Sequence, residues 1–209
     1  MPSSVAKENM LRKIRQALSQ PVPMPFPQSE GTQSIFPKSK EDDAVLFAEQ
    51  FSALQGKFVF CLNEEELVKK LQELLENKNW KQVYCKEEKL LPFLQSTGLN
   101  PTPDLAGCDA SLTSCEYLIA RTGTMVLSSA GSSGRTASVY APVHICIAYQ
   151  HQLYYDLKEV LGFLKGKYKQ DFPSMISFAT GPSRTADIEK TLVTGVHGPK
   201  EVYCFFVES

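Results

Sequence analysis

From Ser39 onward the apolar positions alternate between two rhythms. Short runs rich in β-branched, aromatic and small apolar residues ("KFVFC", "QVYC", "TMVLSS", "HICIAY", "MISFAT" and "VYCFFVE") read as strands. Longer stretches with helical spacing separate several of them. In "NEEELVKKLQELLENKN", Leu67, Leu71, Leu74 and Leu75 share one face with lysines opposite, and Asn63 and Glu66 stand in capping-box spacing. "SKEDDAVLFAEQFSALQG" predicts a helix capped by Ser39, with Asp42 and Asp43 in a first turn that favours negative charge. "LYYDLKEVLGFLKGKY" predicts another, the residues before Arg121 a short one, and a last helix is expected to begin near Asp187. Residues 86–115 are less regular, with turn signals at Gly98, Pro101, Pro103 and Gly107.

Strands alternating with helices imply crossover connections. The expected fold is therefore α/β, three layers, with a mostly parallel sheet covered on both faces. Ligands of such sheets bind beyond the carboxyl ends of the strands. Ahead of this domain, Val5 to Ser19 places Leu11, Ile14 and Leu18 on one side of a short amphipathic helix, and prolines at 21, 23, 25 and 27 favour an extended strut. The predicted organisation is an N-terminal arm over 1–38 and one main domain over 39–209.

Composition narrows the function classes. The 22 basic and 23 acidic residues balance to a formal charge of −1, so no basic excess points to nucleic acid. No apolar run reaches a membrane span and the N-terminus is too polar for a secretory signal, which gives an expectation of a cytoplasmic protein. The six cysteines, at 61, 85, 108, 115, 146 and 204, contain no C-x-x-C pair. That spacing argues against a metal or iron–sulfur cluster held by this chain alone, and favours buried structural thiols.

Two segments carry candidate chemistry. "GPSRT" lies between the strand "MISFAT" and the helix expected from Asp187, so the free N–H groups of that helix would offer an anion site. Gly181, Ser183, Arg184, Thr185 and Asp187 are its candidate residues. Arg184 could donate a forked pair of hydrogen bonds, while simple capping by Ser183 or Thr185 explains the same residues structurally. "GVHGP" follows, with Gly195 suited to a helix C-cap and His197, beside Gly198, exposed enough to titrate near neutral pH. The second segment is "CEYLIARTGTMVLSSAGSSGRTASVYAPVH", offering Thr122, Gly123, Thr124 and Arg135 to a ligand and Glu116 as a base or nucleophile. No phosphate-loop, Rossmann, nucleophile-elbow or zincin motif is present.

"RTGTMVLSS", "APVHICIA" and above all "GPSRTADIEKTLVTGVHGPKEVYCFF" resemble the LUD-domain proteins, specifically the lactate-utilisation protein C family. The resemblance implies a fold like the NagB/RpiA/CoA-transferase group. It also implies a part in oxidising L-lactate to pyruvate beside two partner proteins, one or both bearing iron–sulfur clusters, with this chain as the cluster-free subunit. The expected ligand is a small carboxylate, another anion or a cofactor. Where many relatives read Glu-Thr-Gly-Thr, this chain has Arg121 ahead of Thr122, which removes a carboxylate and adds a cation. A different reading is a stand-alone enzyme related to CoA transferases or sugar-phosphate isomerases, with Glu116 as nucleophile or base but no obvious second acid. A ligand sensor is a third.

Overall fold

The Asn63 side chain accepts from the Glu66 backbone N–H at 2.9 Å, and the Glu66 carboxylate reaches back to the N–H of Leu62 at 2.7 Å. These two bonds start helix α3 (Glu64–Lys78), whose Leu67, Leu71 and Leu75 are buried as their spacing predicts. Asp42, rather than Ser39, caps helix α2 (Asp43–Ala53), accepting from the N–H groups of Ala44 and Val45. The Ser39 hydroxyl instead accepts from the N–H of Glu41 at 3.1 Å.

The computed structural model describes residues 5–19, 36, 39, 41–188 and 191–208. The chain divides into two units, Met1–Lys38 and Ser39–Ser209. In the first, helix α1 (Val5–Leu18) buries none of its residues. The proline run from 21 to 27 lies outside the described residues.

The second unit is built on a parallel sheet of β1 (Lys57–Cys61), β2 (Val83–Tyr84), β3 (Ala110–Ser114), β6 (Val143–Tyr149) and β11 (Glu201–Val207), in the order β1-β11-β6-β3-β2. Alternation along the strands divides its residues between two faces. Val143, Ile145, Ile147, Tyr203, Phe205 and Val207 pack with the leucines of α3 and with Leu94 of helix α4 (Leu91–Ser96). Cys146, Ala148, Val202, Cys204 and Phe206 pack on the other side with Phe47 and Phe51 of α2.

That second face is also covered by a four-stranded mixed sheet. It comprises β4 (Tyr117–Ile119), β5 (Thr124–Ser128), β7 (Leu153–Tyr154) and β8 (Ile176–Ala179), in the order β7-β4-β5-β8. Helix α6 (Leu157–Tyr168) buries Val160 and Leu164 against Ile119 and Val126 on its outer side, and the short helix α5 (Ala137–Tyr140) precedes β6. The α/β class with a mostly parallel central sheet is as expected. The strands "TMVLS" and "ISFA", however, belong to the smaller sheet, where they pair antiparallel.

Two local expectations are corrected. The residues before Arg121 form strand β4, with a 3-10 turn over Ala120–Thr122, instead of a short helix. The segment expected to be a helix from Asp187 forms an antiparallel hairpin of β9 (Arg184–Ile188) and β10 (Thr191–Thr194). Thr185, Ile188, Thr191, Val193 and Thr194 are β-branched and suit strands. The hairpin base is tied by the Ser183 N–H to the Pro199 carbonyl at 3.0 Å and the Gly195 N–H to the Ser183 carbonyl at 2.8 Å, so both ends meet where a helix would separate them.

Candidate functional site

Cleft at the carboxyl ends. Beyond the ends of β2 and β3 lies an open cleft of about 750 Å³. Ser114 and Cys115 form its floor, and a Ser/Gly loop after β5 forms one wall. Glu116, the first residue after this floor, accepts hydrogen bonds from the Tyr168 hydroxyl at 2.5 Å and from the Lys167 ammonium. Burial, and then the bond to Glu116, raises the pKa of Tyr168. Burial pulls that of Lys167 down, but the Glu116 bond and charge outweigh it and hold it above the ordinary value.

A second acid, missed in the sequence, stands across the cleft. Glu87 is 8% exposed. Its carboxylate accepts from the Ser114 N–H at 3.0 Å, the Ser114 hydroxyl at 2.5 Å and the Ser133 hydroxyl at 2.8 Å. It thereby ties the β2 exit, the end of β3 and the Ser/Gly loop together. Lys89 lies 3.7 Å from it. Three glutamates, 87, 88 and 116, thus face the cleft with two lysines, each beside one of those acids.

Chamber between the sheets. A smaller space of about 170 Å³ lies between the parallel and the mixed sheet. His144 and Val202, register partners on β6 and β11, line one side; Leu127 and Ser177, register partners on β5 and β8, line the other. Gly181, Ser183, His197 and Gly198 complete its lining. The signature segment leads into the amino end of β11, so this chamber is not the carboxyl-end crevice assigned to it in the sequence. Leu127 and Ser138 line both spaces. His144 is 1% exposed, and its Nε2 lies 2.8 Å from the Thr113 hydroxyl, itself in the cleft wall. Burial lowers the His144 pKa to about 4, against the opposing influence of the Glu87 charge.

The sequence candidates therefore separate. Glu116 is in the cleft, while Gly181, Ser183, His197 and Gly198 meet at the chamber. Arg184 and Thr185 stand at the hairpin base opposite Thr194 and Val193. Asp187 is in β9, and its side chain lies outside the described residues. Among the described residues, no helix N-terminus supports an anion site in this segment. Arg135 donates from Nε to the Ser174 hydroxyl at 3.0 Å and is not among the cleft-lining residues.

Thr122, Gly123 and Thr124 form a packing turn against α2. Gly123 has φ of 57°, and a Cβ there would lie 2.3 Å from the backbone nitrogen of Phe51. The Thr122 and Thr124 hydroxyls bond each other at 2.7 Å. The preceding Arg121 pairs with Asp156 at 2.7 Å.

All six cysteines are free and buried. Burial pushes the Cys61 and Cys85 thiols to about 11, which keeps them protonated and inert. Among the described residues, no group of three or more His, Cys, Asp or Glu side chains could hold a metal ion. No described helix is long and apolar enough to cross a membrane.

The family model of the LUD domain matches residues 99–207, which include β3, the Ser/Gly loop, β6, the hairpin and β11. The chain belongs to the LUD domain family. This LUD domain is 38% identical over 101 residues to a protein named lactate utilization protein C from Halalkalibacterium halodurans, covering 47% of this chain and 44% of that one. It is 32% identical over 105 residues to a protein of the same name from Deinococcus radiodurans, covering 50% and 49%. The matches span about half or less of the length of these curated relatives. In fold it is similar to the crystal structure of a DUF162 family protein from Deinococcus radiodurans, with a TM-score of 0.59 and 20% identity over 82% of this chain and 99% of that one.

Proposed function

We propose that this LUD-domain chain serves lactate utilisation in the cytoplasm, as the cluster-free subunit of a complex that oxidises L-lactate to pyruvate beside iron–sulfur partner proteins. The observation that carries the reading is the family match over the site-bearing half of the chain, joined to relatives named for lactate utilisation. The oxidation removes two electrons and two protons from the hydroxy acid, and the partners' clusters would accept the electrons. This chain supplies a ligand space and groups suited to moving protons. Tyr168 and Lys167 donate toward Glu116, while Glu87 holds the loop and strand end that shape the cleft. The test is deletion of this gene from its own organism, with growth on L-lactate as sole carbon source and affinity capture of the tagged chain. Lost growth restored by the wild-type gene, with cluster-bearing proteins in the capture, supports the role. Undiminished growth refutes it.

A second reading is favoured by one observation: Glu116 shares the cleft with further carboxylates, among them the buried Glu87, where the sequence offers Glu116 alone. A stand-alone enzyme would use Glu116 as nucleophile or base with Glu87 keeping the loop in place. Turnover of CoA thioesters or phosphosugars by the purified chain, abolished in Glu116→Gln, would establish it. Binding of a small acid without turnover or partners would instead mark a sensor.

A further inference from the structure

Helix α1 buries none of its residues, and its Met10, Leu11, Ile14 and Leu18 are 65, 39, 48 and 76% exposed. At about 100° of turn per residue, these four gather with Ala6 and Ala17 within an arc of about 140°. Val5 alone of the apolar side chains falls outside that arc. Single exposed leucines need no explanation, whereas a continuous apolar stripe along an exposed helix marks a surface made to be covered. The helix is about 21 Å long, too short to cross a bilayer, which takes about 20 residues.

Charge says what covers it. Lys7, Arg12, Lys13 and Arg15 stand on α1 against the single acid Glu8, in a chain whose formal total is −1. Basic charge is thus concentrated on this helix while the remainder of the chain is acidic. Its placement follows the stripe. Lys13 borders Met10 and Ala17 on one edge, and Arg15 borders Leu11 and Leu18 on the other, each pair three or four residues apart. Lys7 lies within the arc itself, one turn before Met10 and Leu11. Arg12 is on the opposite side, bonded to Asn9 at 3.2 Å. A protein partner would complement the charge only by desolvating the Lys7 ammonium in the apolar centre of the contact, where lysine is depleted. At a lipid surface the stems of Lys7, Lys13 and Arg15 lie along the apolar boundary while their charged ends rise to the headgroups. Anionic headgroups therefore suit both the stripe and its cations.

We propose that α1 is an interfacial helix that lies flat on an anionic lipid surface, with Met10, Leu11, Ile14 and Leu18 in the acyl boundary and Lys7, Lys13 and Arg15 at the headgroup phosphates. The inference stands on the helix alone and is independent of the lactate reading. Four large apolar side chains and a few cations give a reversible, salt-sensitive attachment in place of a permanent anchor. The chain would thereby work at a membrane surface without entering the membrane.

The experiment is flotation of the full chain with phosphatidylcholine vesicles, with and without phosphatidylglycerol, at low and high salt. Partitioning is expected to be at least about tenfold stronger on the anionic vesicles and to fall severalfold as salt rises. Ile14→Ser together with Leu18→Ser changes no charge and should weaken it by about tenfold or more. Lys13→Gln and Arg15→Gln should each weaken it by about fivefold, and Arg12→Gln by less. Because α1 buries nothing, thermal unfolding of these variants should match that of the wild type. The comparison of vesicles needs no variant, so it decides the matter even if one misfolds. No partitioning, equal partitioning on both vesicles, or full partitioning in the double serine variant would overturn the proposal. So would a dimer in vesicle-free solution that the double serine variant converts to monomer, since a second copy would then cover the stripe.

Discussion

His144→Gln exchanges a buried imidazole that can take a proton for an amide that cannot. Burial puts the His144 pKa at about 4, with Glu87 the nearby charge pulling the other way. In the unfolded chain the value returns to about 6.5. Between these values the unfolded state binds a proton that the folded state refuses, so folding stability rises with pH across the window. The contribution is whole above about pH 6.5, declines as pH falls, and levels off below about pH 4. A shift of about 2.5 units at ~1.4 kcal/mol per unit amounts to about 3 kcal/mol. Urea denaturation of wild type and variant at steps from about pH 7.5 to about pH 4 checks it. The variant is expected to lose some stability at neutral pH from altered packing, and then to gain about 3 kcal/mol relative to wild type as the pH falls. Other groups titrate in both proteins and largely cancel. A stability difference that stays constant across the range would refute a buried neutral His144.

Gly123→Ala should cost about 3 kcal/mol, from the left-handed backbone together with the collision with α2, and thermal unfolding would show it. A change below about 1 kcal/mol would show that this turn is not a packing device. Glu116→Gln should lower the Tyr168 pKa toward its ordinary value, because the variant keeps a hydrogen-bond acceptor but removes the charge beside the phenol; ultraviolet titration of tyrosinate reads this directly. Burial raises the Glu201 pKa, but hydrogen bonds from Lys57, Tyr203 and Lys78 together bring it down to about 2. Its stabilising contribution is therefore present above the ordinary carboxylate pKa and lost as pH falls through about 2, and Glu201→Gln should flatten that part of the acid-unfolding curve.

Local pattern revealed the elements whose chemistry is local. Helix α3 follows from leucine spacing and its cap, α6 from the later part of "LYYDLKEVLGFLKGKY", whose first two residues form strand β7 instead, and β1, β6 and β11 from apolar runs bounded by turns. Strand β3 escaped notice because "ASLTS" is polar in composition, yet Ser111 and Thr113 are buried, with Thr113 bonded to His144 on the neighbouring strand. A polar strand is stable inside a sheet only once its partner is in place, and that partner is 31 residues away. Glu87 was hidden for the same reason. Its bonds to Ser114 and Ser133 join residues 27 and 46 positions apart, and no spacing rule links them. The signature segment lies within the stretch matched by the family model, but its geometry differs from the expected helix. Acid-led helical spacing from Asp187 suggested a helix, while the β-branched residues and the Ser183–Pro199 tie produce a hairpin.

Lactate-dependent reduction of an electron-accepting dye by the purified partner proteins, with and without this chain, tests the central claim most directly. The account predicts turnover in the full mixture, loss of turnover when this chain is left out, and recovery when it is returned. Full turnover by the partners alone would contradict it.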